Sequence, residues 1–92
     1  MLNMKDKNIE KYNELETEFF STKVNWTYTW NINSIPYCLD WDSDNNKYDY
    51  YINGAYQASF KDIYDALDEI IINKKTLRQL ILETDFDFDS ID

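Results

Sequence analysis

Apolar and polar residues alternate over a long stretch of this chain, and this period of two constrains the fold more than any other feature. Residues 24–32 and 35–41 each predict a strand with one buried face, because successive side chains of a strand point to opposite sides. Asn33 and Ser34 are the expected turn, and Pro36, which lacks an N–H, is expected at a strand start or on an edge. The apolar members of the alternation are Val24, Trp26, Tyr28, Trp30, Ile32, Ile35, Tyr37, Leu39 and Trp41.

A second hairpin is predicted further along. Residues 47–52 alternate again, and they are followed by Asn53 and by Gly54, the only glycine of the chain. An Asn-Gly pair between alternating runs favours a type I′ turn, which needs positive φ at both central positions. Residues 55–59 are therefore the expected return strand, and the polar residues 42–46 are the expected loop between the two hairpins.

Helical periodicity flanks these strands. Ser59 stands three residues before Asp62, which is the spacing of a capping box and predicts a helix that ends near Asn73. Thr76 is expected to cap a further short helix. Between Lys5 and Phe20, apolar residues recur on one side of an N-terminal helix at Ile9, Tyr12, Leu15, Phe19 and Phe20.

The order of these elements, α-β-β-β-β-α-α, predicts an α+β fold. We expect a single small domain over residues 1–84, with an N-terminal helix, a four-stranded antiparallel sheet made of two hairpins, and one or two C-terminal helices on one face of the sheet. Residues 85–92 form an acidic tail that is expected to lie outside this domain and need not be ordered. A chain of 92 residues that is 43% hydrophobic has room for one such core despite a net charge of −9.

The sequence favours a cytoplasmic protein without catalytic residues, cofactor or metal. It has no apolar run near 18 residues and no signal peptide after its start, so neither secretion nor a membrane span is expected. Cys38 is the single cysteine, so no intrachain disulfide can form, and with no histidine to activate it we interpret it as structural. One cysteine, one glycine and no histidine cannot supply a zinc cluster, a phosphate loop or a Ser-His-Asp triad, so we expect no enzyme.

Asp40, Asp42 and Asp44 have the first three spacings of a calcium-binding loop. The rest of that motif is missing, because Asn45 stands where the turn glycine is needed and Tyr51 where the bidentate glutamate is needed. A solvated hairpin loop is therefore the expected structure of this segment.

Acidic residues dominate the C-terminal third. From Asp62 onward there are nine acids against three bases, so six of the nine surplus negative charges lie there. Such a field repels nucleic acids and anionic membranes and attracts basic proteins. We therefore expect a basic protein partner and no direct binding of nucleic acid or membrane, although solvated acidic faces can also serve solubility alone. The candidate partner-binding residues are the loop acids Asp40, Asp42 and Asp44, the helix acids Asp62, Asp65, Asp68 and Glu69, the tail acids Asp85, Asp87 and Asp89, and the aromatics Tyr51, Phe86 and Phe88.

In its size, its acidic bias and the joining of DIYDALDE to ETDFDFDSID, the chain resembles small inhibitors encoded by phages and mobile elements. These include anti-CRISPR proteins and other DNA mimics. The resemblance implies a non-enzymatic inhibitor that blocks the basic channel of a nuclease or CRISPR effector with carboxylates and aromatic residues. Small acidic immunity proteins, which neutralise toxin nucleases, share this character.

A second hypothesis belongs to a different class of protein. The chain could be a regulatory or immunity-type interaction domain whose C-terminus is a linear motif, with Phe86 and Phe88 as anchors between acids. Binding by such a motif should survive high salt, whereas binding by a nucleic acid mimic should weaken steeply. The sequence leaves the oligomeric state open.

Overall fold

An antiparallel meander of four strands forms the centre of the molecule. The computed structural model describes residues 4–92, with side chains from residue 7 onward. Each strand pairs with the next, and the turns at Asn33-Ser34 and Asn53-Gly54 have positive φ at both residues. The two hairpins predicted from the sequence are thus confirmed, and Pro36 lies near a strand start as expected. The strands are β1 (Tyr28–Ile32), β2 (Ile35–Asp42), β3 (Lys47–Ile52) and β4 (Ala55–Phe60).

A further strand at the C-terminus extends this sheet. After the helices, a two-residue strand (β7, Ser90–Ile91) pairs with β1, which gives the strand order β4-β3-β2-β1-β7. Phe86 and Phe88 pack against the core on the way to it. The expectation that residues 85–92 lie outside the domain is therefore wrong. Burial of two phenylalanine rings and pairing of the backbone with β1 hold this acidic segment in place.

The first predicted strand is too long at its start. β1 begins at Tyr28, and residues 21–27 are turns and irregular chain in which Val24 is 55% exposed. Trp26 leaves the ladder and packs edge-on against Phe19, with 5.2 Å between ring centroids. Alternation shows which side chains share a face, but it does not show where the chain must leave the sheet to reach the preceding helix.

The N-terminal helix has the predicted extent, but the side that it buries differs from the predicted one. It consists of α1 (Met4–Leu15) and a π-helical turn (Glu16–Phe20), closed by the Ser21 N–H donating to the Glu16 carbonyl at 2.9 Å. Ile9 was predicted to be buried and is 39% exposed, whereas Asn8 is buried. The reason is that α1 packs against the last helix of the chain rather than lying squarely over the sheet.

Two short helices complete the layer. They are α2 (Ile63–Glu69) and α3 (Leu77–Glu83), separated by a small hairpin of β5 (Ile71–Ile72) and β6 (Lys75–Thr76). Asp62, not Ser59, caps α2, because its carboxylate accepts the Asp65 N–H while Ser59 stays in β4. Asn73 was expected to end this helix, and it lies instead in the turn of the small hairpin. Thr76 caps α3 as predicted, in a capping box with Gln79.

The core lies on one side of the sheet. Trp30 is fully buried at its centre and stacks with both Tyr37 and Tyr50, with centroid separations of 5.5 and 6.2 Å. Leucine and isoleucine side chains of α2 and α3 cover these rings. The helical layer therefore covers one face of the sheet, and the opposite face is left open. The buried strand residues are Tyr28, Trp30, Tyr37, Leu39, Tyr48, Tyr50 and Phe60.

Candidate protein-binding surface

The open face of the sheet is formed by the strand residues that alternate with the buried ones. We define the open face as Thr27, Thr29, Asn31, Cys38, Asp40, Asp42, Lys47, Asp49, Tyr51, Tyr56, Ser59 and Ser90, from the strand register. All of them are half-buried or exposed. This face carries three carboxylates against one lysine, so its local charge is negative.

Two of these carboxylates lie directly opposite each other. Asp40 of β2 pairs with Asp49 of β3 in the strand register. Like charges at such positions destabilise a sheet. Thr27 donates to Asp40 Oδ1 at 3.2 Å, and Ser59 donates to Asp49 Oδ1 at 2.8 Å. Each carboxylate therefore accepts a hydrogen bond from a hydroxyl group, and the two like charges remain opposite each other.

An aromatic pair stands beside these carboxylates. Tyr51 and Tyr56 are cross-strand neighbours on β3 and β4, with 6.0 Å between ring centroids and an interplanar angle of 72°. Partial burial raises the pKa of the Tyr51 phenol, and the nearby carboxylates of Asp49 and Asp40 raise it further. Half-buried Tyr51 and exposed Tyr56 thus lie next to acids on the open face.

Cys38 lies across from Tyr51 on the open face and is half-buried. Burial raises the pKa of its thiol, and the negative charge of Asp40 acts in the same direction. The thiolate is the reactive form of cysteine, so this environment opposes nucleophilic chemistry.

Asp40, Asp42 and Asp44 do not converge on a common point, and the first two belong to β2 rather than to the loop predicted for them. Asp42 closes its own turn by accepting hydrogen bonds from the backbone of Asp44 and Asn45 and from the Asn45 side chain at 2.8 Å. The Asn45 hydrogen bonds lower the pKa of Asp42. Asp40 is engaged with Thr27 at the sheet. In the part of the chain whose side chains are described, no group of three or more potential ligands is arranged to hold a metal ion.

The C-terminal carboxylates form a row on the outer side of the segment that leads into β7. Asp85, Asp87 and Asp89 are exposed, whereas the intervening phenylalanines are half-buried against the core. Asn31 donates to Asp89 at 2.5 Å, and the hydroxyls of Thr29 and Ser90 are 2.6 Å apart. The row therefore adjoins the open face along the outer edge of β1. These three residues precede β7 and are not themselves part of a strand.

The helix acids face the other way. Since α2 buries Ile63, Ala66 and Leu67 against the core, its polar side points away from the sheet. Two of its four acids already have structural partners: Asp62 caps the helix, and Asp68 forms an ion pair with Arg78 at 2.6 Å. Asp65 and Glu69 are exposed. The structure brings the loop and tail acids to one side and places the helix acids on the opposite side.

The two C-terminal phenylalanines are not free anchors in this structure. Phe86 and Phe88 both meet Trp30 edge-on, at 5.9 and 5.6 Å between centroids, and Phe88 also packs against Tyr28. Lys11 of α1 donates to the Phe86 carbonyl. A linear motif that used these rings would first have to leave the core.

The partner-binding residues predicted from the sequence do not include Asp49, Lys47 and Tyr56. The signal was present in the pattern, because the residues that alternate with buried Tyr48 and Tyr50 must lie on the polar face. Recognising their role needed the register, which places Asp49 against Asp40 and Tyr56 against Tyr51.

No family model, no curated protein and no solved structure matches the chain. None of the helices in the described residues has the length and apolar character needed to cross a membrane.

Proposed function

We propose that this protein is a non-enzymatic inhibitor that binds a basic nucleic-acid-binding protein, such as a nuclease or a CRISPR effector, in place of nucleic acid. The binding surface is the open face of the sheet together with the C-terminal carboxylate row. The inhibitor works in the cytoplasm, where such partners act.

The observation that carries the proposal is the opposition of Asp40 and Asp49 on an uncovered sheet face. A basic residue at either position would stabilise the sheet, whereas two carboxylates cost stability. A cationic partner surface relieves this repulsion on binding. The pair therefore contributes more to the complex than to the free protein, as expected of residues that serve recognition.

The C-terminal row supports the same proposal through its geometry. A nucleic acid strand carries one charge about every 3.4 Å along its axis, whereas alternate side chains of a β-strand are about 6.7 Å apart. The row is too dilute to imitate a strand alone. The carboxylates of the adjoining open face supply the second set of charges, and both sets are held by packed chain rather than by a mobile tail.

The test starts from a partner captured from the native host and identified by mass spectrometry. Binding of the purified partner is then measured at low and high salt, with and without its nucleic acid. We expect competition with nucleic acid and a steep loss of affinity with salt, because exposed charge pairs are screened. Binding that leaves nucleic acid bound, or that does not respond to salt, contradicts the proposal.

Charge-matched variants locate the surface. Asp40→Asn with Asp49→Asn should weaken binding about two- to thirty-fold, chiefly through slower association, since each exposed charge contributes about 0.2–1 kcal/mol. Asp65→Asn with Glu69→Gln removes the same charge from the opposite side and should change affinity less. The triple change of Asp85, Asp87 and Asp89 to Asn should also weaken binding. If the sheet-face and C-terminal variants both bind like the parent, the acidic surface serves solubility alone.

A further inference from the structure

The open face already contains one cation, the Lys47 ammonium, that is held by neighbouring side chains. Lys47 Nζ lies 3.3 Å from Asp49 Oδ1 and 3.2 Å from the Ser59 hydroxyl. The hydrogen bond to Asp49 is the main cause that raises the pKa of Lys47. This place on the sheet therefore stabilises a positive charge through specific hydrogen bonds.

The same hydroxyl connects the carboxylate to an aromatic ring. Ser59 donates its single proton to Asp49 at 2.8 Å, so the Tyr56 hydroxyl, 2.7 Å away, must be the donor to Ser59. Tyr56 is 56% exposed and lies edge-to-face with Tyr51. Carboxylate, hydroxyl and two aromatic rings are thus joined in one patch on the surface.

This set of groups suits a guanidinium better than an ammonium. A guanidinium is planar, stacks on aromatic faces and donates through two parallel N–H groups to a carboxylate. Among the described side chains, those that donate to Asp49 do so at Oδ1, which leaves Oδ2 for a second donor. The Lys47 side chain is 36% exposed, so it can turn into solvent when its contacts with Asp49 and Ser59 are replaced.

We propose that Tyr51, Tyr56 and Asp49 form a receptor for one arginine side chain of the partner, and that Lys47 holds the cation position until this arginine replaces it. The inference rests on the proposed function in that it names the residue through which the basic partner is anchored. Arginine stacks against the tyrosine pair and bonds to Asp49, while the surrounding carboxylates steer the approach without fixing its geometry.

The probes are hexa-arginine and hexalysine peptides, titrated into the full chain by calorimetry at physiological salt. We expect hexa-arginine to bind more tightly than hexalysine, although the two have equal charge. Tyr51→Ala should weaken hexa-arginine binding about two- to thirty-fold, the range of one cation–π contact, and should barely affect hexalysine. Tyr51→Phe keeps the ring and should retain the preference for arginine. Asp49→Asn, which leaves the aromatic pair intact, should weaken arginine binding independently of any effect of Tyr51→Ala on folding.

Substitution of Lys47 tests whether this lysine competes with arginine for the cation position. Lys47→Met should strengthen hexa-arginine binding, because the competing internal cation is removed. Lys23→Met makes the same charge change at an exposed position outside the sheet and should strengthen binding less. If hexa-arginine fails to bind, if the two peptides bind equally, or if the two lysine variants behave alike, the receptor is refuted.

Failure of the receptor can be told apart from failure of the proposed function. Competition with nucleic acid that is insensitive to Tyr51→Ala and Asp49→Asn would overturn the arginine receptor and leave the inhibitor proposal standing. Arginine-selective binding with all the expected variant effects, in a protein that leaves its partner's nucleic acid bound, would support the receptor and contradict the inhibitor proposal.

Discussion

Asp40 and Asp49 face each other across β2 and β3, while the next pair on the same face of the ladder, Asp42 and Lys47, joins an acid to a base. Lys47 nevertheless turns back along its own strand and bonds to Asp49. A single lysine thus compensates part of a repulsion that the register creates. At the scale of residues, the open face is a compromise between sheet stability and a concentrated negative charge.

Replacing one member of the opposed pair should stabilise the free protein. We expect Asp40→Asn to raise the free energy of unfolding by about 0.2–1 kcal/mol, since the amide oxygen can still accept from Thr27 while the repulsion with Asp49 is removed. Urea denaturation measures the change. Asp44→Asn removes a charge from the exposed loop and is the control, with a smaller expected effect. A loss of stability in Asp40→Asn would contradict this account of the pair.

Asp68 shows that not every acid of the helix is available for a partner. It pairs with Arg78 of α3, and the same guanidinium donates to the Tyr12 hydroxyl of α1 and lies 5.4 Å from the centre of its ring. One arginine therefore connects all three α-helices. The hydrogen bond from Arg78 is the main cause that lowers the pKa of Asp68.

The stability from this pair should depend on pH in a defined direction. Because the folded-state pKa of Asp68 is depressed, its contribution is fully present above the unfolded value of about 3.9 and is lost as the pH falls through the folded value. We expect Asp68→Asn to be less stable than the parent at neutral pH by at most about 1 kcal/mol, because water screens the exposed carboxylate. Urea denaturation from neutral pH to below pH 4 should show the difference vanish.

At the scale of elements, the C-terminal segment is the largest departure from the predicted organisation. Its sequence, FDFDSID, has the alternation of a strand, but five acids among the last ten residues suggest a solvated tail. The structure resolves this conflict by burying the phenylalanines under the edge of β1 and leaving the aspartates outside. The alternation predicts this arrangement correctly, because it places the aspartates on one side of the segment and the phenylalanines on the other.

Two adjacent substitutions test the attachment of this segment. Phe88→Ala should lower the free energy of unfolding by about 2–3 kcal/mol, somewhat below the cost at a fully buried phenylalanine, because the ring contacts Phe20, Tyr28 and Trp30. Asp87→Ala, on the exposed side, should change it by less than about 0.5 kcal/mol. Thermal and urea denaturation measure both. Equal, small effects would show that the segment is not attached as described.

At the scale of the whole molecule, the core is unusual in its share of tyrosine. Tyr28, Tyr48 and Tyr50 are all buried beneath the helical layer. Burial raises the pKa of Tyr48 and of Tyr50 to about 12, and it raises the pKa of Tyr28 as well. Ionisation of any of these phenols in the folded state would place a charge in the core.

The domain should therefore unfold steeply in alkali. A raised folded-state pKa gives stability that is fully present below the unfolded value of about 10 and is lost as the pH rises through the folded value. Tyr28, Tyr48 and Tyr50 alone should lower stability by about 4 kcal/mol per pH unit between roughly pH 10 and 12, and Tyr12, whose pKa burial also raises, adds to this slope. Fluorescence-detected unfolding measures this slope, and Tyr48→Phe should reduce it. A flat stability profile up to pH 12 would contradict the burial of these phenols.

The distribution of charge is also decided at this scale. The open face and the C-terminal row lie on one side of the core, and the free helix acids lie on the other. The helix residues were predicted to act with the tail in one interface. Their separation follows from the single helical layer, since both α2 and the sheet must bury their apolar sides against the same core.

The sequence by itself determined the four strands of the meander, the two hairpin turns, the N-terminal helix and the side of each of these strands that is buried. These features depend on local periodicity and on backbone conformation at Asn53 and Gly54, which nearby residues alone specify. The sequence also indicated that Cys38 is structural and that no calcium loop is complete.

The tertiary structure decided where each helix and strand begins and ends, and it decided which acids share a surface. Burial of Asn8 in place of Ile9, capping by Asp62 in place of Ser59, and pairing of β7 with β1 all depend on contacts between segments far apart in the chain. The same holds for Asp40 and Asp49, nine residues apart, which only the strand register brings face to face. Periodicity assigns a side chain to a face, but strand pairing and packing against other elements determine what lies beside it.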